Sequence, residues 1–273
     1  MKIGSSDISA AYIGSTAVNK VYIGSTEVWS ASTVDADYQA VLDYATTQGY
    51  TLPSASQQTL QNQLVVDLKA AGVWSKLDTF AVFATDGDSD FALIDWINLS
   101  QYTAYNSPTF TSNDGFTGDG VSAYIDTNFN PSTSGVNYTL DDASFGGVKT
   151  INTIDFAYFT GNSSAGKNCL RGVSSGNNRI NQGNNNFSPT ADFSSFYFVG
   201  IHRDSSTTGA FSYDNSITTA SANSQSIDNL NQFVLRGGGA YATFGARMFW
   251  MGGELIAENS DFYTAWDNYY TAL

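Results

Sequence analysis

Three near-copies of one short pattern open the chain. Ile3-Gly4-Ser5-Ser6-Asp7-Ile8 returns as Ile13-Gly14-Ser15-Thr16-Ala17-Val18, and again as Ile23-Gly24-Ser25-Thr26-Glu27-Val28. In each copy β-branched residues flank a Gly-Ser/Thr turn signal, which predicts a tight hairpin. Together the copies predict a small meander of short strands ending near Trp29. Units this short bury little surface alone, so residues 1–30 read as an anchoring or oligomerising module, with Ile13, Gly14, Ile23, Gly24 and Trp29 as its marker residues. The competing reading is a strand folded back onto the main domain.

The period then lengthens. After a cap at Ser32 or Thr33, apolar Tyr38, Val41, Leu42 and Ala45 fall on one helical face, and Gly49 fits its end. Pro53-Ser54 opens a second helix. Ser54 and Gln57 suit a capping box, Leu60, Leu64, Val65 and Leu68 form the buried stripe, and Gly72 closes it. The short connection makes the two helices antiparallel neighbours. Residues 31–98 therefore read as a helical segment leading into the main body. Its last part holds two buried runs, Phe80-Ala81-Val82-Phe83 and Phe91-Ala92-Leu93-Ile94, around a polar loop.

From about Phe110 the pattern changes to short strands split by Gly, Asn and Ser turns. Val121-Ser122-Ala123-Tyr124-Ile125 alternates, as does the stretch from Phe193 through Phe196 and Phe198 to Ile201. Phe233-Val234-Leu235 and Phe244 through Trp250 continue the series. Many short strands with regular turns predict a mainly β sandwich over 99–273. A final helix is expected with Phe262, Trp266, Tyr269, Tyr270 and Leu273 on one face, capped by Asn259 or Ser260.

Composition narrows the function classes. With 11 Lys+Arg against 25 Asp+Glu, the formal net charge is −14. That disfavours tracking nucleic-acid phosphates or docking on an anionic membrane. One cysteine, Cys169, excludes an internal disulfide framework, and one histidine, His202, excludes a multi-histidine metal centre. The opening residues lack an apolar export core and no stretch is long enough to span a bilayer, so synthesis and folding in a cytoplasm are expected.

Catalytic patterns are sparse. Glycoside hydrolysis generally needs two facing carboxylates, yet the chain holds three glutamates, Glu27, Glu254 and Glu258, and no Glu-x-Asp-x-Glu strand motif. Asp141-Asp142 would point to opposite faces of a strand. His202 lies at a strand end without a Gly-x-Ser-x-Gly elbow and reads as structural. No cofactor is implied. Asp86, Asp88 and Asp90 in Asp86-Gly87-Asp88-Ser89-Asp90 resemble the start of a Ca²⁺ loop, against the plainer reading of a turn built on Asx hydrogen bonds. Sugar recognition uses aromatic faces with amide and guanidinium groups on loops held by a rigid scaffold. Asn178, Arg179, Asn184 and Asn185, and Tyr241 after Gly237-Gly238-Gly239, are the candidates.

Several phrases occur as a set: Trp74-Ser75-Lys76-Leu77-Asp78, Phe83-Ala84-Thr85-Asp86-Gly87, Phe91-Ala92-Leu93-Ile94-Asp95-Trp96, Phe116-Thr117-Gly118-Asp119-Gly120, Tyr124-Ile125-Asp126-Thr127-Asn128-Phe129-Asn130-Pro131-Ser132, Ala246-Arg247-Met248-Phe249-Trp250 and Asp261-Phe262-Tyr263-Thr264-Ala265-Trp266. The set resembles bacteriophage virion proteins of the tail-fibre or appendage type that carry a concanavalin A-like (laminin G-like) jelly roll, over roughly residues 31–273. The opening repeats resemble Tyr-Ile-Gly-Ser-Thr units at the start of phage structural proteins. The resemblance implies a lectin-like sandwich displayed outward for host attachment. It also implies virion localisation, other virion proteins as partners, a homo-oligomer (a trimer by analogy), a host-surface glycan as possible ligand, and no catalytic motif. A dedicated carbohydrate-binding lectin is the alternative reading, and a polysaccharide-degrading glycoside hydrolase a third.

Overall fold

A computed structural model describes residues 34–150, 158–162, 168–171, 178–182 and 197–273, together with the backbone of six short strands between residues 2 and 30. Those strands are β1 (Lys2–Ile3), β2 (Ser6–Asp7), β3 (Ala11–Ile13), β4 (Thr16–Val18), β5 (Lys20–Ile23) and β6 (Thr26–Ser30). They pair as β1–β2, β3–β4 and β5–β6, all antiparallel. The predicted hairpins are present. Among the described residues they form three separate two-stranded sheets rather than one meander, each pairing the two strands within one copy of the repeat. Ile13 and Ile23 end β3 and β5, and Trp29 pairs with Val21. Gly14 and Gly24 lie outside the described residues. The chain divides into two compact units, Met1–Asp35 and Ala36–Leu273.

The second unit begins with α1 (Ala36–Gln48) and α2 (Ala55–Ala70). Tyr38, Val41, Leu42 and Ala45 are the buried residues of α1, as their spacing predicts. Ser32 and Thr33, the expected cap, lie outside the described residues. In α2, Ser54 caps by accepting from Gln57 N. The reciprocal half of the box is absent: the Gln57 side chain instead donates to Asn113 Oδ1 and accepts from Thr85 Oγ1. Then come β7 (Leu77–Val82), the single turn α3 (Ser89–Ala92), β8 (Ile94–Asp95), β9 (Ser100–Gln101), β10 (Thr103–Tyr105), β11 (Thr109–Thr111), β12 (Gly115–Thr117) and β13 (Tyr124–Asp126). After the turn α4 (Pro131–Ser134) follow β14 (Ala143–Lys149), β15 (Tyr158–Gly161), β16 (Cys169–Arg171), β17 (Phe198–Arg203), β18 (Thr208–Tyr213) and β19 (Ser216–Ser221). The chain ends with β20 (Phe233–Val234), β21 (Arg236–Gly237), β22 (Ala240–Tyr241), β23 (Gly245–Gly252) and α5 (Asn259–Tyr270).

These strands build an antiparallel, mainly β sandwich of the jelly-roll kind. The large sheet has the order β11-β12-β23-β14-β17-β18-β19, with β7 also pairing β23; the small sheet has the order β10-β13-β20-β15-β16. Period-two alternation sorts the large sheet's side chains. Phe145, Val199, Ile201, Phe211, Phe249 and Met251 point inward and meet Ile125, Phe159, Leu170 and Val234 of the small sheet. Phe80, Val82, Val148, Phe198, Met248 and Trp250 point the other way, into a second core closed by α1, α2 and α5. The result is three layers: helices, large sheet, small sheet. Residues 36–98 are part of this body, since β7 is a strand of the large sheet.

At the C-terminus, Phe262, Trp266 and Tyr269 are buried as expected. Leu273 instead lies past the end of α5 and is 37% exposed. The cap position is Glu258 rather than Asn259 or Ser260, and it makes no capping hydrogen bond. Its carboxylate is held by Lys76 Nζ at 2.7 Å. No helix among the described residues is long and apolar enough to cross a membrane.

Candidate functional site: an aromatic–arginine face on the small sheet

Among the described residues, no helix packs over the outer face of the small sheet. Alternation along β13 sends Ile125 into the core and places Tyr124 and Asp126 on this face. Across the ladder Tyr105 of β10 is the partner of Tyr124. Their rings stack with centroids 5.0 Å apart and planes 10° from parallel, and Tyr105 is 43% exposed. On the other side β20 brings Phe233, whose ring meets Tyr124 edge-on at 5.1 Å.

A backbone irregularity completes the face. Leu235 has φ +65°, a left-handed conformation rare for a branched side chain. Val234 and Leu235 both enter the inter-sheet core, so the alternation skips one residue and Arg236 emerges beside Phe233. Such backbone typically costs about 1–3 kcal/mol and persists only where its surroundings fix it. Here Leu235 N donates to Phe159 O and Leu235 O accepts from Ala242 N. Beyond Arg236 the chain reverses through Gly238 (φ +55°) and Gly239 (φ +86°). These are the paired positive angles of a primed two-residue turn, which accounts for the glycine run. The turn sets Tyr241 opposite Arg236.

The Arg236 guanidinium thereby sits among three rings. Its carbon lies 4.4 Å from the Tyr124 centroid, 4.9 Å from Phe233 and 5.2 Å from Tyr241. Each such contact contributes about 0.5–2 kcal/mol, more as water is excluded. A second stack lies beside it. Arg171 lies 4.9 Å over the Tyr158 ring, and that ring packs on Gly237, where an added Cβ would come within 2.6 Å of it. Polar groups border the rings. Asp126 accepts from Asn128 N at 2.8 Å and from Asn231 Nδ2 at 3.1 Å. Burial raises the Asp126 pKa, opposed by those hydrogen bonds and by the charge of Arg236. Burial likewise raises the Tyr124 pKa against the pull of Arg236, so its hydroxyl stays protonated at neutral pH. The face thus offers flat apolar rings, hydroxyls, an amide and guanidinium donors.

Of the residues singled out from the sequence, Tyr241 belongs to this face. Asn178 does not serve as a free ligand group: it is 2% exposed and its Oδ1 accepts from Arg171 N. Arg179 exchanges both backbone hydrogen bonds with Cys169. Asn184 and Asn185 lie outside the described residues. Asp86, Asp88 and Asp90 are committed to different donors: Asp86 to Ser54 N, Asp88 to Thr51 N and Phe91 N, and Asp90 to Gln101 Nε2. The loop ties the start of α2 to α3, and among the described residues no group of three or more acidic, His or Cys side chains is placed to hold a metal ion.

Tyr105, Tyr124, Tyr158, Arg171, Phe233 and Arg236 were not singled out from the sequence. The signal available was the polar half of the 121–125 alternation. His202 is buried on β17, where Nε2 and Ser212 Oγ lie 2.8 Å apart; burial and nearby Lys76 lower its pKa to about 3. Glu254 receives Ile256 N.

No protein-family model and no curated protein matches the chain. Solved structures show distant similarity. A Trypanosoma rangeli sialidase in complex with sialic acid is 13% identical with a TM-score of 0.43, covering 69% of this chain and 33% of its own. An HCR/D mutant is 12% identical with a TM-score of 0.46, covering 70% and 52%. Domain 4 of AbnA, an extracellular arabinanase from Geobacillus stearothermophilus, in complex with arabinotriose, is 11% identical with a TM-score of 0.38, covering 68% and 98%. The chain spans about a third of the sialidase and about half of the HCR/D chain.

Proposed function

We propose that the sandwich is a non-enzymatic glycan-binding module whose binding surface is the outer face of the small sheet. The carrying observation is the Tyr105–Tyr124–Arg236–Tyr241 assembly, which presents ring faces beside unspent donors. Pyranose rings offer axial C–H groups for stacking and hydroxyls for such donors. Asp126, the carboxylate bordering the rings, is engaged by Asn128 and Asn231. The surface therefore suits holding a sugar rather than cleaving it. The sequence resemblance supports placing this module in a phage appendage, with residues 1–30 as anchor and several copies adding avidity to weak single contacts.

A glycan array probed with the multimerised full chain tests the reading. Binding should weaken by about 2 kcal/mol in Tyr124→Ala while the folded state persists. An array silent at high multivalency, or a Tyr124→Ala protein that binds as before, would remove it. Deleting residues 1–30 should abolish particle incorporation without unfolding the sandwich; incorporation of the truncated chain would refute the anchoring role.

A further inference from the structure

Within that glycan-binding reading, we infer that the ligand is anionic, a carboxylate- or sulfate-bearing sugar whose acid group is received by Arg236, with Arg171 as a second receptor. The inference starts from how the protein spends its few cations. In the sandwich unit Lys69 pairs with Asp37, Lys76 with Glu258 and Arg247 with Asp114. Arg203 is fully buried and donates to the carbonyls of Ile180, Ser205 and Ala222. Arg236 and Arg171 are treated differently. Neither forms a salt bridge with a described residue, and the Nε of each, itself buried, has no hydrogen-bond partner among the described residues. Among the described residues the Arg171 side chain makes one hydrogen bond, from Nη2 to Tyr158 Oη at 3.3 Å.

Both guanidiniums lie on tyrosine rings of the same open face, in a chain of net charge −14. A neutral sugar needs no such arrangement, since amides and hydroxyls would serve. Stacking fixes the guanidinium plane and leaves its edge, the part that forms paired N–H bonds to a carboxylate or sulfate, unspent. The left-handed Leu235 is the backbone feature that delivers Arg236 there, at a cost the fold bears locally. The overall acidity of the chain repels polyanions in general, so an acidic glycan is retained only where it meets this face.

The test uses the full chain on an array of matched pairs, in which uronate-, sialate- and sulfate-bearing oligosaccharides are each printed beside the neutral counterpart. The expected result is binding confined to acidic members and weakening as salt rises. Arg236→Gln should lose at least tenfold in affinity, and Arg171→Gln, which leaves the Tyr124 stack untouched, a smaller factor. Equal binding of neutral and acidic members would overturn the anionic assignment while leaving the glycan reading intact. So would acidic binding unaffected by either substitution. Failure of every glycan, acidic or neutral, would overturn both.

Discussion

The two sheets of the sandwich turn opposite outer faces to very different surroundings. The outer face of the large sheet carries Phe80, Val82, Val148, Phe198, Met248 and Trp250, all fully buried under α1, α2 and α5. The outer face of the small sheet carries Tyr105, Tyr124, Tyr158 and Tyr241 with two arginines, and part of it stays accessible. Residue choice explains the difference. Aliphatic groups and Phe, without polar ends to satisfy, gain most from complete removal from water, and Trp250 joins them although its buried indole N–H has no hydrogen-bond partner among the described residues. Tyrosine and arginine keep one end hydrated and cover apolar surface with the rest, so a face built from them is stable without a lid. The covered face is where stability is concentrated, and the open face is where the proposed recognition surface lies.

The largest test of that division is Trp250→Ala. Trp250 packs on Phe198 at 4.9 Å and Phe262 at 4.8 Å, bridging the sheet and α5. Its truncation should cost about 3–5 kcal/mol, seen as a lower denaturation midpoint in urea. The fraction that remains folded should bind glycan with unchanged affinity. A large affinity loss there would show that the faces are coupled.

The next effect depends on pH. His202 also lies on the covered side of the large sheet, and folded it titrates at about 3 against an ordinary value of 6.5. Between those values the unfolded chain takes a proton that the folded chain refuses. Stability therefore falls as acid is added, by up to about 1.4 kcal/mol per pH unit, and this contribution is flat above 6.5. His202→Gln should flatten the acid limb relative to the parent, measured by urea unfolding from pH 7 to 4. Identical limbs would show that the imidazole does not control it.

Third is Tyr124→Ala on the open face. Loss of a central aromatic anchor should weaken glycan binding by about 2 kcal/mol, roughly 30-fold. The midpoint of unfolding should move far less than in Trp250→Ala. Calorimetric titration beside urea unfolding gives both numbers for each variant. The division of roles fails if the two substitutions change both quantities alike.

The covered half was largely legible in advance, the open half hardly at all. Tyr38, Val41, Leu42 and Ala45 declare a buried helical stripe by spacing alone, and β23 declares a strand buried on both faces by its nearly continuous apolar run. The open face gives no comparable signal. Tyr105 sits in a strand whose three residues are all exposed, so no alternation marks it. Arg236 reaches Tyr124 only because Leu235 adopts a left-handed angle that leucine seldom takes, a consequence of tertiary packing. In Asn- and Asp-rich stretches the sequence signal is ambiguous, because amide and carboxylate groups close turns as readily as they bind ligands. Asn178 and Asp88 are both used that way.

The smallest predicted effect tests the lid itself. Ser54 accepts from Gln57 N at 3.3 Å, and Ser54 N donates to Asp86 at 2.9 Å. Ser54→Ala removes the first contact and keeps the second, since the second uses backbone. Loss of a side-chain cap costs about 1 kcal/mol, and the length of this bond places it at the weak end. Faster amide exchange should appear in the first turn of α2, beginning at Ala55, while Tyr38, Gln61 and Tyr269 still hold the helices together through hydrogen bonds of 2.7 and 3.3 Å. Exchange on β13 and β20 and the affinity for glycan should not change. If protection were lost across the small sheet as well, the helices would be supporting the binding face, and the separation of the two faces would have to be abandoned.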